Sequence, residues 1–278
     1  MSATDTVALP GVARQPEGGG AWRAWAPRLR AALPGAVFCL LVAGLWEVLA
    51  RTKQSPLVPD LAEVWGEILR LLAGGMALEQ VGITLWRISL GGIAGFAIAV
   101  LLGLFAARSR LFGAFIRPAV LLGLTVPGLV WALLCVIWFG VGLATPVVSI
   151  ILGIAPPLLV TISQGLRAVD SELTEMAHVF RFSRAARIRH VLLPSIVPFL
   201  LSGVRLAFSL AWKVIVLVEL FGLSDGVGYQ LNSEFSSQNV AGVLAWTLIF
   251  WVVMAAIEFG LMQGMENRLT RWRRESSL

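Results

Sequence analysis

Charged residues are scarce in this sequence, and so are the side chains that most often perform catalysis. Only 14% of the 278 residues are charged, 58% are hydrophobic, and the mean hydropathy is +0.83. Soluble domains carry about 25% charged residues, so the composition indicates an integral membrane protein. The two cysteines, Cys39 and Cys135, both fall inside apolar runs. We therefore expect them to pack as small apolar side chains rather than to form a disulfide or a metal site.

Two motifs of nucleotide and metal chemistry are also missing. The sequence contains neither the G-x-x-x-x-G-K-[ST] loop that holds nucleotide phosphates nor the H-E-x-x-H pair of zinc enzymes. The net charge is +6, but the basic residues lie between the apolar runs, as membrane topology requires. We therefore expect no catalytic residues, no metal and no nucleic-acid partner for this chain.

The sequence does contain a series of apolar runs, several of which reach the roughly 20 residues that a membrane-spanning helix needs. We predict an all-α, polytopic membrane protein with about six transmembrane helices. The predicted spans cover residues 34–50, 81–107, 115–139, 146–166, 195–221 and 241–265. Residues 61–73 repeat apolar side chains at helical spacing after Asp60, a typical N-cap, and therefore predict an amphipathic helix outside the spans.

Glycine and proline mark three of the predicted spans. Gly91 and Gly95 form a G-x-x-x-G pattern, which permits close contact with a neighbouring helix. Pro127 lies inside the third span, and Pro156 and Pro157 lie inside the fourth. Proline removes a backbone donor and clashes with the preceding helical turn. We therefore expect the third span to kink and the fourth to break at these residues.

The distribution of basic residues predicts the orientation. Sixteen of the 22 Lys and Arg residues lie in the N-terminal tail, the turn 108–117, the segment 167–190 and the C-terminal tail. Because positive residues concentrate on the cytoplasmic side, both termini are predicted to be cytoplasmic. The predicted organisation is a polar cytoplasmic tail (1–34), a transmembrane domain (35–272) with a cytoplasmic loop at 168–194, and a cytoplasmic C-terminal tail (273–278).

That loop contains the one long polar segment of the chain, residues 170–194 (DSELTEMAHVFRFSRAARIRHVLLP). Its acidic residues come first and its basic residues later, which suits the dipole of a short helix or helix pair. Asp170 or Ser171 is a candidate N-cap for the first helix, and Ser183 for the second. We predict a cytoplasmic element, anchored by spans on both sides, that contacts a partner protein.

The spacing within this segment resembles the EAA signature of permease subunits of bacterial ABC importers. Glu175, Met176 and Ala177 stand at its first three positions, and Val191, Leu193 and Pro194 stand in register at its end, whereas Arg181 replaces its glycine. Further stretches resemble the nitrate, sulfonate and taurine permease branch, namely 136–142, 169–173, 201–222 and 226–231. The similarity covers most of residues 35–272.

The resemblance implies a type I ABC importer permease in the bacterial cytoplasmic (inner) membrane. Its implied partners are two copies of an ATP-binding subunit, a second permease subunit (a homodimer or a similar chain) and an extracytoplasmic solute-binding protein. ATP and magnesium would bind to the ATP-binding subunit, and this chain would hold no cofactor. The implied cargo is a small anion such as a sulfonate or nitrate, or another small organic solute.

The resemblance also indicates which side chains couple the permease to the ATP-binding subunit. The predicted coupling residues are Glu172, Glu175, Ala177, His178, Phe180, Arg181, Arg184 and Pro194. Glycine at position 181 would allow a left-handed turn between two short helices, but arginine makes that conformation costly. We therefore expect either a continuous helix through Phe182 or a strained corner.

Residues of the spans are candidates for the translocation path. The predicted path residues are Pro127, Trp131, Trp212, Lys213 and Glu219. An ionisable residue within a span is by default a functional hypothesis, and Lys213 could attract an anionic solute. The alternative is that Lys213 reaches the membrane surface or pairs with a glutamate. For Glu219, a place at the outer end of the path and a purely stabilising role both stay open.

Two other classes of function remain as alternatives. A secondary transporter driven by an ion gradient would need paired inverted repeats, and no convincing repeat is visible in the sequence. A membrane enzyme would need a nucleophile or a metal cluster at membrane depth, whereas both histidines lie in the polar segment. Copurification with a soluble ATPase distinguishes the importer from the secondary transporter.

Overall fold

The computed structural model of the chain describes residues 22–53, 55, 57–169, 171–262 and 264. Every regular element within these residues is a helix, which confirms the all-α class. The helices are α1 (Trp22–Lys53), α2 (Leu61–Ala73), α3 (Met76–Arg108), α4 (Arg110–Thr125), α5 (Gly128–Phe139), α6 (Ala144–Arg167), α7 (Ser171–Val179), α8 (Arg184–Arg187), α9 (Leu193–Gly222), α10 (Val227–Ser236) and α11 (Val240–Ala256). One π-helical turn (Ile188–Leu192) joins α8 to α9, and another (Ile257–Met262) follows α11.

Helix α1 belongs to a compact unit that ends at Gln54. It begins at Trp22, well before the predicted start of the first span at Pro34. Residues 22–33, which were predicted to belong to the polar tail, are therefore helical, and residues 1–21 lie outside the described residues. Apolar side chains such as Phe38 and Leu41 are exposed in the isolated chain, as expected for a helix that hydrocarbon surrounds.

The second unit is centred on three long helices, α3, α6 and α9. A Cβ added to Gly91 would lie 2.7 Å from the Cβ of Ile150, and one added to Gly95 would lie 2.8 Å from the side chain of Ile154. Without those side chains, the backbones of α3 and α6 can approach closely, which confirms the contact predicted from the glycine spacing. Helices α3 and α6 run parallel, and α9 packs antiparallel to α6.

The predicted third span is broken into α4 and α5, whose axes meet at an angle of 103°. Val126 leaves the helical conformation (φ −73°, ψ 124°), and Pro127 starts the next helix as its N-cap. A residue before proline is disfavoured in the α conformation, so the break follows from the sequence. The predicted kink at Pro127 is confirmed.

The fourth predicted span behaves differently, because α6 continues through both Pro156 and Pro157. The predicted break there is wrong. The ring of Pro156 packs directly on Gly123 of α4, where a Cβ would overlap it. Membrane helices tolerate internal proline where neighbouring groups can satisfy the backbone groups that it leaves unpaired.

The amphipathic helix α2 begins as predicted. The Asp60 carboxylate accepts a bond from the Glu63 backbone N–H (2.7 Å), and the Glu63 carboxylate accepts one from the Asp60 N–H (3.3 Å). This capping box satisfies donors that the first helical turn leaves unpaired. Val64 and Leu71 are buried where α2 packs against α3 and α11.

The six predicted spans correspond to α1, α3, the α4–α5 pair, α6, α9 and α11. Among the described residues, four helices are long and apolar enough to cross a membrane: 76–108, 144–167, 184–222 and 240–260. The bent α4–α5 pair is a fifth if it crosses as one span. We call the end of the bundle where α6 ends and α9 begins the α7 end, and the opposite end the Arg87 end.

Candidate functional site

The polar segment folds into two short helices joined by a tight corner. Helix α7 ends at Val179, and Arg181 then adopts the left-handed conformation (φ 52°). The Phe182 N–H donates to the Ala177 carbonyl (2.9 Å). This is the bond of a Schellman motif, which normally places glycine at the position of Arg181. Of the two predicted conformations, the strained corner is therefore the one present. Ser183 then caps α8 by accepting a bond from the Ala186 N–H (3.2 Å), as predicted.

Most of the predicted coupling residues are exposed. The exposed ones are Glu172, Glu175, His178, Phe180, Arg181 and Arg184. Ala177 is different, since only 1% of its surface is exposed. Helix α7 packs on the π-helical turn 188–192, so Ala177 packs within its own chain. The predicted N-cap Asp170 lies outside the described residues.

A cavity of about 420 Å³ is lined by Glu175, His178, Val179 and Arg187, from α7 and α8. The neighbouring Phe180 side chain is 70% exposed. An exposed aromatic side chain beside a concave surface is typical of a protein contact site. The α7–α8 segment therefore has the features of a docking surface.

This segment is continuous with a membrane span. From Arg184 to Gly222 the chain forms 39 residues of unbroken helix, which includes the π-helical turn and α9. Pro194 lies inside this continuous helix, two residues after the π-helical turn. A displacement of α8 is therefore transmitted to α9 without an intervening loop.

Of the predicted path residues, Pro127 and Trp131 lie at or directly after the break between α4 and α5. Pro127 is exposed at the break, and a Cβ on the next residue, Gly128, would lie 3.4 Å from the Val214 side chain of α9. The break therefore lies beside α9 at Val214, the residue after Lys213. Trp131 lies one turn into α5, and its buried indole N–H has no hydrogen-bond partner among the described residues.

Lys213 is exposed although it lies within a predicted span. Its Nζ lies 5.6 Å from the ring centroid of Trp212, which in turn packs edge-on against Phe250 at a centroid distance of 6.1 Å. No carboxylate in the described part of the chain forms an ion pair with Lys213. The predicted alternative of pairing with a glutamate is therefore not found within those residues.

Glu219 is completely buried at the Arg87 end. Its carboxylate accepts bonds from the Arg87 guanidinium (2.9 Å), the Thr84 hydroxyl (2.9 and 3.0 Å) and the Gly228 N–H (3.0 Å). These bonds join α9 to α3 and to the first residues of α10. This geometry favours the stabilising role that was left open for Glu219.

Arg87 and its neighbours also hold the segment that follows α9 in place. The Arg87 guanidinium also donates to the Asp225 carboxylate (2.5 Å), and the Gly226 N–H donates to the Gln80 side chain (2.7 Å). Gly226 has a φ of +97°, and a Cβ there would overlap the Glu219 carboxylate. We call Gln80, Thr84, Arg87, Glu219 and residues 225–228 the Arg87 cluster.

The Arg87 cluster was not predicted from the sequence. A signal was nevertheless available, because Arg87 and Glu219 are opposite charges in predicted spans, and such charges usually pair. Residues 222–226 (GLSDG) also match the letters of the G-x-S-x-G nucleophile motif. They connect two helices, α9 and α10, whereas that motif requires a strand followed by a helix. The match therefore indicates no nucleophile.

Comparison with known proteins gives consistent matches. The family model described as "Binding-protein-dependent transport system inner membrane component" matches residues 99–270. A putative aliphatic sulfonates transport permease protein of Bacillus subtilis is 27% identical over 243 residues, which is 87% of this chain and 88% of that protein. The taurine transport system permease protein of Escherichia coli is 27% identical over 263 residues, 91% of this chain and 94% of that protein.

A solved structure shares the fold. The crystal structure of an amino acid ABC transporter with histidines contains a chain that aligns with a TM-score of 0.52 at 20% sequence identity. The alignment covers 74% of this chain and 96% of that chain. At this level of identity, the likeness concerns the arrangement of helices.

Proposed function

Since this chain belongs to the family of binding-protein-dependent transport system inner membrane components, it is the transmembrane permease subunit of an ATP-driven importer, and we propose how its parts divide that work. The resemblance to the nitrate, sulfonate and taurine permease branch is confirmed. The chain is a non-enzymatic, multi-pass subunit of the inner membrane.

The α7–α8 segment is the proposed docking site for an ATP-binding subunit. The observation that carries this proposal is the continuous helix from Arg184 to Gly222, which joins an exposed polar surface directly to a span. The ATP-binding subunit would supply ATP and magnesium, with two copies for each pair of permease subunits. ATP-driven closure of that pair would move α8, and α9 would move with it.

Within the docking site, residues have different roles. Glu175, His178 and Arg187 line the cavity and would contact the partner, with Phe180 at its edge. Ala177 seats α7 against its own chain, because its side chain is buried. Glu172, Arg181 and Arg184 extend the charged surface, and Pro194 stiffens the start of α9.

Glu175→Lys tests the docking site. The permease is coexpressed with a tagged ATP-binding subunit encoded beside it, and the amount of permease recovered with that subunit is measured together with ATP hydrolysis. Reversal of one charge at the cavity should reduce recovery by about tenfold, since charged contacts at a desolvated interface are worth 2 kcal/mol or more. The matched control is Glu79→Lys, because Glu79 is an exposed glutamate in the first turn of α3, at the Arg87 end of the bundle. Normal recovery and ATP hydrolysis with Glu175→Lys would contradict the proposal.

The translocation path is proposed to form between two permease subunits, most simply two copies of this chain. Lys213 supports this arrangement, because an unpaired cation is costly against lipid and is tolerated where it faces protein or a water-filled cavity. Pro127, Trp131 and Trp212 lie in the same part of the bundle and would line the path around it. Glu219 would not contact the solute, since its carboxylate is buried and fully bonded within the chain.

A small oxyanion is the proposed cargo. Two relatives are named for aliphatic sulfonates and taurine, and Lys213 supplies a positive charge of the sign such solutes require. A solute-binding protein would deliver the anion at the Arg87 end. In this proposal the Arg87 end would face the outside of the cell and the α7 end the cytoplasm, and both termini would be cytoplasmic, as the distribution of basic residues predicts.

Replacement of Lys213 tests the path. Uptake of radiolabelled taurine is measured in cells that express the permease with its ATP-binding and solute-binding proteins, and ethanesulfonate serves as a second probe. Lys213→Gln should lower uptake at least tenfold, and Lys213→Arg should retain most of it because the charge is kept. Recovery of the ATP-binding subunit should stay unchanged in both variants. Equal uptake by Lys213→Gln and the unmodified permease would exclude this role.

A further inference from the structure

A cavity of about 740 Å³ lies at the α7 end, between the last turns of α3 and α6 and the first turns of α4. Three arginines line it: Arg110 and Arg117 from α4, and Arg167 from the last turn of α6. Arg110 and Arg117 are two helical turns apart and therefore lie on the same face of α4. Two distant parts of the sequence thus bring three positive charges to one space.

These three charges are not neutralised within the described part of the chain. No carboxylate there lies within 4.0 Å of the three guanidinium groups. The described arginines that do have such a partner are Arg51, Arg70, Arg87 and Arg205. Like charges around one cavity raise its positive potential and attract a counter-ion.

The other lining residues suit a specific kind of anion. Ser163 and Gln164 add neutral hydrogen-bonding groups, and the remaining wall is formed by small and aliphatic side chains such as Ala114 and Leu159. Guanidinium groups bind planar and tetrahedral oxyanions through paired N–H donors. A volume in this range accommodates a small organic ligand rather than a single ion.

We propose that this cavity is a binding site for a phosphate- or sulfonate-type oxyanion, held by Arg110, Arg117 and Arg167. Two kinds of molecule present such a group here: an anionic membrane lipid and a soluble sulfonate. The site is separate from Lys213 and does not depend on the identity of the imported solute. Arg167 is four residues before the start of α7, so a bound anion would lie beside the connection between the bundle and the docking surface.

The test uses the full-length chain in detergent and native mass spectrometry. Phosphatidylglycerol is the lipid probe, diacylglycerol is the control lipid that lacks the phosphate, and ethanesulfonate is the soluble probe. The variants Arg117→Gln and Arg167→Gln each remove one cavity charge. Arg108→Gln is the matched control, because Arg108 is an exposed arginine beside Arg110 that does not line the cavity.

We expect each cavity variant to weaken binding of at least one probe about tenfold, as for loss of one charge-assisted contact, and Arg108→Gln to change it by less than about twofold. An effect on phosphatidylglycerol alone identifies a lipid site, and an effect on ethanesulfonate identifies a site for soluble anions. The proposal is wrong if neither probe binds, if diacylglycerol binds equally well, or if Arg108→Gln weakens binding as much as the cavity variants. Size-exclusion profiles check that all variants remain folded.

Discussion

The two ends of the bundle differ in whether their arginines have carboxylate partners. At the Arg87 end, one guanidinium has two carboxylate partners, and Glu219 is buried without any contact to solvent. At the α7 end, Arg110, Arg117 and Arg167 have no carboxylate partner among the described residues. A buried, fully bonded charge fixes neighbouring helices, whereas an unpaired, exposed charge is available to another molecule. The paired charges of the Arg87 end therefore hold α3 and α9 together, whereas the charges of the α7 end are those for which binding of another molecule is proposed.

The largest effect is expected from breaking the buried pair. Glu219→Ala leaves the Arg87 guanidinium with Asp225 as its only carboxylate, removes the acceptor for the Gly228 N–H, and leaves the Thr84 hydroxyl with the Gln80 carbonyl. Loss of one partner of a buried ion pair costs about 3–5 kcal/mol. We expect a large drop in the yield of folded protein and in the melting temperature, measured by fluorescence-detected size exclusion. An unchanged melting temperature would remove the basis of the comparison.

A smaller effect is expected at Gly226. The substitution Gly226→Ala places a Cβ against the Glu219 carboxylate and requires alanine to adopt a φ of +97°. Strain of this kind costs of order 1–3 kcal/mol. Gly82→Ala is the matched control, because a Cβ there meets no atom within 4 Å and helical alanine is favoured over glycine. Melting temperatures should fall for the first variant and stay level or rise for the second.

Substitution of Arg181 should stabilise the corner between α7 and α8, whereas the two substitutions above should destabilise the protein. Arg181→Gly removes a left-handed arginine, whose conformation costs roughly 1–2 kcal/mol, although glycine also gains freedom in the unfolded chain. We expect the amides of residues 177–183 to exchange hydrogen up to about fivefold more slowly. Faster exchange would mean that the arginine side chain itself stabilises the corner.

The smallest effect is expected at the α7 end. Arg117→Gln removes an exposed charge with no partner among the described residues, and such surface changes alter stability by about 0.5 kcal/mol or less. The melting temperature of this variant should match that of the unmodified chain in lipid-free detergent. A fall as large as that of Glu219→Ala would show that the two ends do not differ as described.

Local features of this fold were predictable from the sequence, and long-range ones were not. The N-cap at Asp60, the cap at Ser183 and the kink at Pro127 depend on neighbouring residues and were predicted. The continuity of α6 through Pro156 was missed, and so was the packing of its ring on Gly123 of α4, which joins two distant parts of the sequence. The pairing of Arg87 with Glu219 joins residues 132 positions apart, and its register is set by helix packing.

The candidate site shows the same division. The exposed coupling residues follow from polarity and spacing within one segment, whereas the burial of Ala177 depends on how α7 folds back on the turn 188–192. In the sequence, the three arginines that line the cavity were recognisable only as basic residues on one side of the membrane. Nothing in the sequence indicated that they lie together. The three arginines converge because α4 begins at the level of the bundle where α6 ends.

The long helix that begins at Arg184 is anchored near its other end, where Glu219 is bonded to α3. Its arm from that anchor to Arg184 is about 50 Å at a rise of 1.5 Å per residue. With the cluster as fulcrum, a tilt of about 5° moves the Arg184 tip by roughly 4 Å and leaves the Arg87 end almost still. If an ATP-binding subunit docks on α7 and α8 as proposed, the helix would act as a lever that converts a displacement of its long arm into a small, forceful movement beside the Arg87 cluster.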